Sequence, residues 1–404
     1  MSFKMKLILL QKDNQQPMIT FETKKELKKI KYGDIDKNFY TVLKERVDAY
    51  FERTNQTRFA NWEMHIKTIL LLVLMCGSYA LIISNRVADF AIIPLQIFFH
   101  IISFVMWIGI AHDAHHDAYT PNRTFNKFLL FLGDITGVSS FLMDYNHVKA
   151  HHTSVNIPDH DVSIDSFGIM RFHPSVTWKP IHRYQHIYIW VLYCISSIFK
   201  LFIFDFFSLN RKSIGSFKVM GLRWYHFIYM IVMKSFAIFY SVILPIMLID
   251  TAPWIIITGF VVGHMLSGAV LGLVFQVTHL CDYSLFTEPD ADEKLKNSFA
   301  IHVLENTSTF SPKSYFMTWF TGGLNHHTIH HVFPTICQSH FIHLTPILRE
   351  TAKEYGVPFK EYPTFWEALK SHYYMLKKLG ESPAYKSVPF SDYQLHPRYQ
   401  NIYA

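Results

Sequence analysis

Histidine is the residue best placed to do chemistry in this chain, because eight of its 24 histidines recur at ligand-like spacing in three tight clusters. His112-Asp113-Ala114-His115-His116 reads HxxxH. His147-Val148-Lys149-Ala150-His151-His152 reads HxxxHH, and His327-Thr328-Ile329-His330-His331 reads HxxHH. Residues three or four apart share one helix face, so each cluster is expected to aim at least two ring nitrogens at a common point. Neutral imidazole is the commonest protein metal ligand and suits iron, zinc, copper and nickel. Eight such ligands are too many for one ion, and two metals are the natural reading.

The company these histidines keep narrows the metal. Zinc hydrolases of the HExxH type need a Glu beside the first His, and no such motif occurs. Copper sites usually add Cys or Met, and carboxylate-bridged di-iron bundles use Glu with ExxH; neither is built into the clusters. A pair of irons held mainly by imidazole remains, suited to oxidation with oxygen rather than hydrolysis. Asp113, Asp159, Asp161 and Asp165 lie near the clusters and read equally well as partners that orient ring N–H groups or as solvated loop charge. His115 and His326 fall off the ligand faces and are expected to be supporting or structural. His65, His100, His226, His372 and His396 are expected to be ordinary hydrogen-bonded histidines.

The elements that must position these clusters are apolar. Of 404 residues half are hydrophobic, with 36 Phe and 22 Tyr, and only 17% are charged, against about 25% in a soluble domain. Residues 68–84 and 90–111 approach the ~20-residue length of a membrane span, as do 230–249 and 254–276, and each pair is joined by a short link. An all-α integral membrane protein is expected, with four spans in two hairpins and a cytoplasmic helical cap carrying the clusters. Residues 1–67 form a cytoplasmic arm, 68–385 the membrane domain and 386–404 a tail. The arm holds 14 Lys and Arg and the two hairpin links only Arg86, which places the N-terminus inside. The net charge of +7 then reflects a basic face against anionic lipid rather than nucleic acid. Met1–Gln11 does not resemble a cleaved signal peptide, and the four scattered cysteines suggest neither disulfides nor a thiolate site.

Parity decides the remaining apolar stretches. Three of them separate the second and third clusters; if all crossed, the clusters would lie on opposite sides. The stretch 187–207 is interrupted by Lys200 and Asp205, costly at bilayer depth, and is expected to lie along the interface. Phe128–Met143, with Gly133, Asp134 and Gly137, is expected to return to its starting side. Apolar spacing over Phe39–Phe51 predicts a surface helix, the basic Lys24–Lys31 run a solvated or lipid-apposed face, and Thr345–Tyr355 and Thr364–Leu379 soluble helices.

The three boxes, in this order around two hairpins, resemble the membrane fatty acid desaturases. Gly322-Gly323-Leu324-Asn325-His326-His327-Thr328-Ile329-His330-His331-Val332-Phe333-Pro334 is similar to the third box of their front-end branch, which inserts a double bond between an existing one and the carboxyl end. Trp178–His186, Leu304–Thr307 and the run from Val357 to Gly380 resemble bacterial members, so the likeness covers most of residues 40–385. One departure stands: front-end enzymes usually carry Gln where this chain has His327. The resemblance implies a di-iron centre held by His112, His116, His147, His151, His152, His327, His330 and His331, with His279 a further ligand after the fourth span. It also implies a fatty acyl substrate on coenzyme A or a lipid, O2, and a bacterial inner-membrane location with both termini cytoplasmic. Lacking the HPGG motif of fused cytochrome b5 domains, the chain is expected to draw electrons from a separate ferredoxin or cytochrome b5-like donor. A di-iron lipid hydroxylase is the nearest alternative. A metal transporter would need ligands within the spans, where His264 is the main candidate.

Overall fold

The computed structural model describes residues 27–219, 224–282 and 284–381. Met1–Gln11, the first residues of the basic run, His396 and the 386–404 tail lie outside them. The described chain is mainly helical. After α1 (Lys37–Thr54), five helices are long and apolar enough to cross a membrane: α2 (Trp62–Ile83), α3 (Asp89–His115), α4 (Pro180–Leu209), α5 (Trp224–Leu248) and α6 (Pro253–His279). That is one more than the four expected spans, and the fifth is the stretch assigned to the interface.

Helix α2 starts six residues earlier than its apolar run suggests. The Asn61 side chain accepts from the Met64 N–H and caps the first turn. Lys67 is carried inside because its ammonium is satisfied there, donating to Trp319 O at 2.6 Å and Gln338 Oε1 at 2.9 Å. Helix α6 is the hub of the bundle. Gly259 and Gly263 lie against Gln96 and His100 of α3, where an added Cβ would overlap both side chains. Small residues of this kind let membrane helices approach closely.

Helix α4 packs along α6, begins among elements outside the bundle and ends against α5 and the Ser140–Met143 turn. At its start the Gln185 amide bonds Arg171 N–H and Leu376 O; at its end Leu209 packs on Leu142 and Met230. The polar interruption is a buried ion cluster. Asp205 accepts from Lys200 at 3.2 Å and from Lys234 of α5 at 2.8 Å, and Lys234 also donates to Gly137 O. Between α3 and α4, Phe128–Met143 falls on the short Arg123–Asp134 helix and the Ser140–Met143 turn and so forms no long helix.

The remaining residues build a second layer over the ends of α3 and α6. The predicted surface helix is α1, burying Phe39, Leu43, Val47 and Tyr50 against residues 300–304 and 341–352. The C-terminal helices are Phe341–Glu354 and Phe365–Glu381. A parallel strand pair, Thr309–Phe310 with Glu361–Tyr362, ties this layer together. Residues 31–35 form a strap beside 293–298: Lys31 N–H donates to Glu293 O, and Leu295 N–H back to Lys31 O.

Candidate metal centre

Local helix geometry aims the three clusters. Helix α3 widens into a π turn at Trp107–Ala111 before delivering His112 and His116, and the second cluster sits in a π-helical stretch, Asp144–His151. In this wider turn residues five apart nearly align. His147 and His152 therefore face one point and His151 another, which differs from the expected sharing of a face by His147 and His151. In the α-helical third cluster (His327–Val332) His327 and His331 pair at four residues, and His330 points to the other group.

The outcome is two buried groups of convergent nitrogens. His112, His116, His147, His152 and His330 form one, and His151, His279, His327 and His331 the other; within each, the ligand atoms lie within 4.8 Å of one another. All nine histidines named from sequence and resemblance are thus brought together, whereas His115 is in neither group. In the first, His147 Nε2 stands 2.8 Å from His112 Nε2 and 3.2 Å from His152 Nε2. In the second, His327 Nε2 stands 2.6 Å from His279 Nε2 and 3.1 Å from His331 Nε2. Two nitrogens each about 2.1 Å from one ion and at right angles stand about 3 Å apart. The fit to metal is also chemical: His116 Nε2 and His151 Nε2 are buried with no hydrogen-bond partner among the described residues. A buried polar nitrogen left this way is costly unless something binds it.

Electrostatics keep the rings ready to ligate. Burial, reinforced by the neighbouring imidazoles, holds His116, His147, His152, His327, His330 and His331 well below the usual histidine value, and so neutral. Of the four carboxylates with two open readings, Asp161 orients a ring: His151 Nδ1 lies 3.0 Å from it, leaving Nε2 free. Burial alone would raise the Asp161 carboxyl, but the His151 ring and the Ser163 hydrogen bonds outweigh it and hold it below the usual carboxylate range. Asp113 turns away from the rings to accept from Cys337 Sγ and Gln338 N–H. Asp159 is exposed in a left-handed turn, and Asp165 faces Arg211 at 3.8 Å. His326 is held between Thr318 and Thr345 hydroxyls, and His372 between Tyr193 and Leu280 O, both structural as expected.

Three contributors carry no local sequence signal. Asn156 donates from Nδ2 to His279 O and Asn306 O, and its N–H to Asp161. His302 bonds Val155 O. Tyr32 of the strap reaches Thr153 O at 2.9 Å and packs on Phe299 and His302, covering the loop that follows His152. On the opposite side a cavity of about 70 Å³ lies among α3, α4, α5 and α6, lined by His100, Ser103, Trp107, His264, Ser267 and Leu271. Here His100 departs from its structural expectation, since its Nε2 is buried with no partner among the described residues.

The fatty acid desaturase family model matches residues 88–363, a stretch that contains every histidine of both groups. The chain belongs to the fatty acid desaturase family. This desaturase is 32% identical over 352 residues to the sn-1 linoleoyl-lipid 6-desaturase of Synechocystis sp., covering 86% of this chain and 96% of that protein. It is 29% identical to the enzyme of the same name from Arthrospira platensis, covering 87% and 95%. It is also 32% identical to the acyl-lipid (8-3)-desaturase of Physcomitrium patens, covering 87% and 74%. No solved structure is significantly similar to it. The desaturase is an oxidoreductase acting on fatty acyl chains, and its buried histidine groups fit a metal centre in a membrane protein.

The depressed histidines give the metal-free desaturase a pH signature. In the unfolded chain imidazoles gain protons as pH falls through their ordinary value of 6.5, whereas the folded groups do not. Stability contributed by the cluster is therefore present above about pH 6.5 and lost progressively below it. Thermal unfolding of chelator-stripped protein should show a melting temperature that is level between about pH 8.5 and 7.5 and falls toward about pH 5.5. A level profile throughout would contradict neutral burial of these rings.

Proposed function

We infer that this desaturase uses a pair of irons to insert a double bond into the acyl chain of a membrane glycerolipid, on the carboxyl side of an existing double bond. One observation carries the metal reading: nine buried imidazoles converge on two adjacent points, and consecutive residues (His151 with His152, His330 with His331) serve different groups. The lipid-linked, front-end reading is supported by the relatives, whose names specify a linoleoyl-lipid 6-desaturase and an acyl-lipid (8-3)-desaturase. Position 327 departs from the front-end pattern, yet His327 joins the second group beside His279.

His112, His116, His147, His152 and His330 would hold one iron, and His151, His279, His327 and His331 the other. Bound there, the irons would supply oxygen activation, with electrons from a separate ferredoxin or cytochrome b5-like carrier. The chain's own residues prepare the reaction. Asp161 fixes the His151 ring, burial excludes bulk water, and the Phe275 ring stands 6.0 Å from both His147 and His327 on the side facing the bundle. The small cavity beyond Phe275, with His100 and His264 among its walls, takes the methyl end of the acyl chain. Its depth sets which carbons lie beside the metals, since reactivity there follows position. Two hydrogens leave neighbouring carbons, and oxygen is reduced to water.

In the bilayer we place α2, α3, α5 and α6 as spans and α4 along the cytoplasmic interface of a bacterial inner membrane. His116 at the end of α3 and His279 at the end of α6 belong to adjacent groups, so the chain crosses an even number of times between them. Helices α5 and α6 account for those crossings, and α4 must return. Single cysteines placed at Asn122 and Lys212 should react with an impermeant thiol reagent from one side and a cysteine at Arg86 from the other. Reaction of Lys212→Cys from the Arg86 side would contradict this arrangement.

Ligand substitution tests the chemistry. His151→Ala and His330→Ala should each abolish a product lighter than substrate by two hydrogens while leaving membrane insertion intact, and His116→Ala should cost more activity than His115→Ala. Full activity in either of the first two variants would overturn the assignment, and a product that gains oxygen would make the protein a hydroxylase.

A further inference from the structure

A second cavity, of about 400 Å³, opens away from the bundle where the start of α2 meets the short helix Tyr315–Phe320 and residues 338–342. Its rim is apolar and aromatic. Tyr315 and Phe316 are 67% and 68% exposed, and Trp62 and Ile66 of α2 are similarly bare beside it. Aromatic side chains where an apolar helix begins mark the headgroup level of a membrane. The interior surface is mostly apolar as well but carries a few polar groups. Lys67 and Glu63 line it with Thr318 and Ser339, whose hydroxyls donate to Ser314 O and Cys337 Sγ, and two of the three N–H donors of the Lys67 ammonium go to Trp319 O and Gln338 Oε1.

The inner wall is shared with the metal-bearing helix. Gln338, which lines the cavity, donates its side-chain amide to Gly109 O, and its backbone N–H goes to Asp113, the neighbour of His112. The remaining N–H of the Lys67 ammonium, held under an apolar rim, matches a molecule whose ester oxygens accept a hydrogen bond while its chains stay in hydrocarbon. A coenzyme A thioester would instead arrive from the aqueous side, where the Tyr32 strap and the second helical layer cover the centre. We propose that this cavity receives the glycerol and ester end of the glycerolipid substrate, which thereby enters sideways from the bilayer with Gln338 as the partition next to the metal-bearing helix. The proposal rests on the lipid-linked reading above.

Photo-cross-linking in nanodiscs tests it. Holoenzyme is placed in phosphatidylglycerol doped with a phosphatidylglycerol carrying a diazirine near the ester of its sn-1 chain, and labelled residues are mapped by mass spectrometry. Labels should concentrate on residues 315–319 and 339–342. Ser339→Trp, which fills the cavity, should reduce both labelling and turnover of lipid-linked chains at least about fivefold, with iron content and helicity unchanged. Ile342→Trp, which plugs the opposite wall, should act likewise and serves if the first variant loses iron. Labelling spread evenly over the lipid-facing surface, or plugged variants turning over lipid-linked chains at the unaltered rate, would overturn the portal alone. Turnover of acyl-coenzyme A but of no lipid-linked chain by the unaltered enzyme would overturn the lipid-linked reading, and the portal with it.

Discussion

Nine buried imidazoles with nitrogens about 3 Å apart cannot all satisfy one another, because a neutral ring has only one N–H to give and several of these atoms face only other rings. In a low-dielectric interior that arrangement is unfavourable unless cations occupy the two points of convergence. The rest of the structure serves this constraint. The centre is delivered from the end of α3, the π stretch 144–151, the end of α6 and the His327–Val332 helix. Two of these segments each split adjacent residues between the groups. Since neighbouring Cα atoms are about 3.8 Å apart, such a split ties the spacing of the two points to the covalent chain. The π-helical stretch is what makes the split possible at His151 and His152, by turning His147 toward His152 instead.

The helical bundle explains how segments more than 200 residues apart in sequence stay registered. Close approach of α3 and α6 at Gly259 and Gly263 locks the two helices whose ends carry His112, His116 and His279. Asp205 joins α4 to α5 through Lys234 and to the Gly137 turn through the same ammonium. Removing one partner from such a cluster leaves an uncompensated buried charge, so the geometry is held firmly. The loop after His152 completes the enclosure. Asp161 fixes one ligand ring, Asn156 ties that loop to the end of α6, and Tyr32 closes it from outside.

Sequence made the chemistry more legible than the architecture around it. The three boxes are local patterns whose spacing carries its own geometric meaning, so eight of the nine grouped histidines could be named from residue order alone. His279 is a single histidine at the end of an apolar helix, and only the family resemblance distinguished it from His264 or His100. The π-helical register could not be read, because no residue type marks where a helix widens. Choosing among Asp159, Asp161 and Asp165 depended on a fold-back of the loop onto His151, a contact set by tertiary packing. Lys67 misled the placement of α2 for a related reason: its charge is satisfied by residues some 250 positions later, Trp319 and Gln338. Helix α4 passes every test of length and apolarity, so the proposal that it returns to its starting side rests on parity, a property of the whole chain rather than of its own residues.

The proposed chemistry requires two irons lying side by side, each within one named set of rings. Anomalous diffraction at the iron edge from crystals of the purified desaturase measures this directly. Two iron peaks per chain are predicted, one ringed by His112, His116, His147, His152 and His330 and the other by His151, His279, His327 and His331. A single metal position, a metal other than iron, or peaks outside these rings would contradict it.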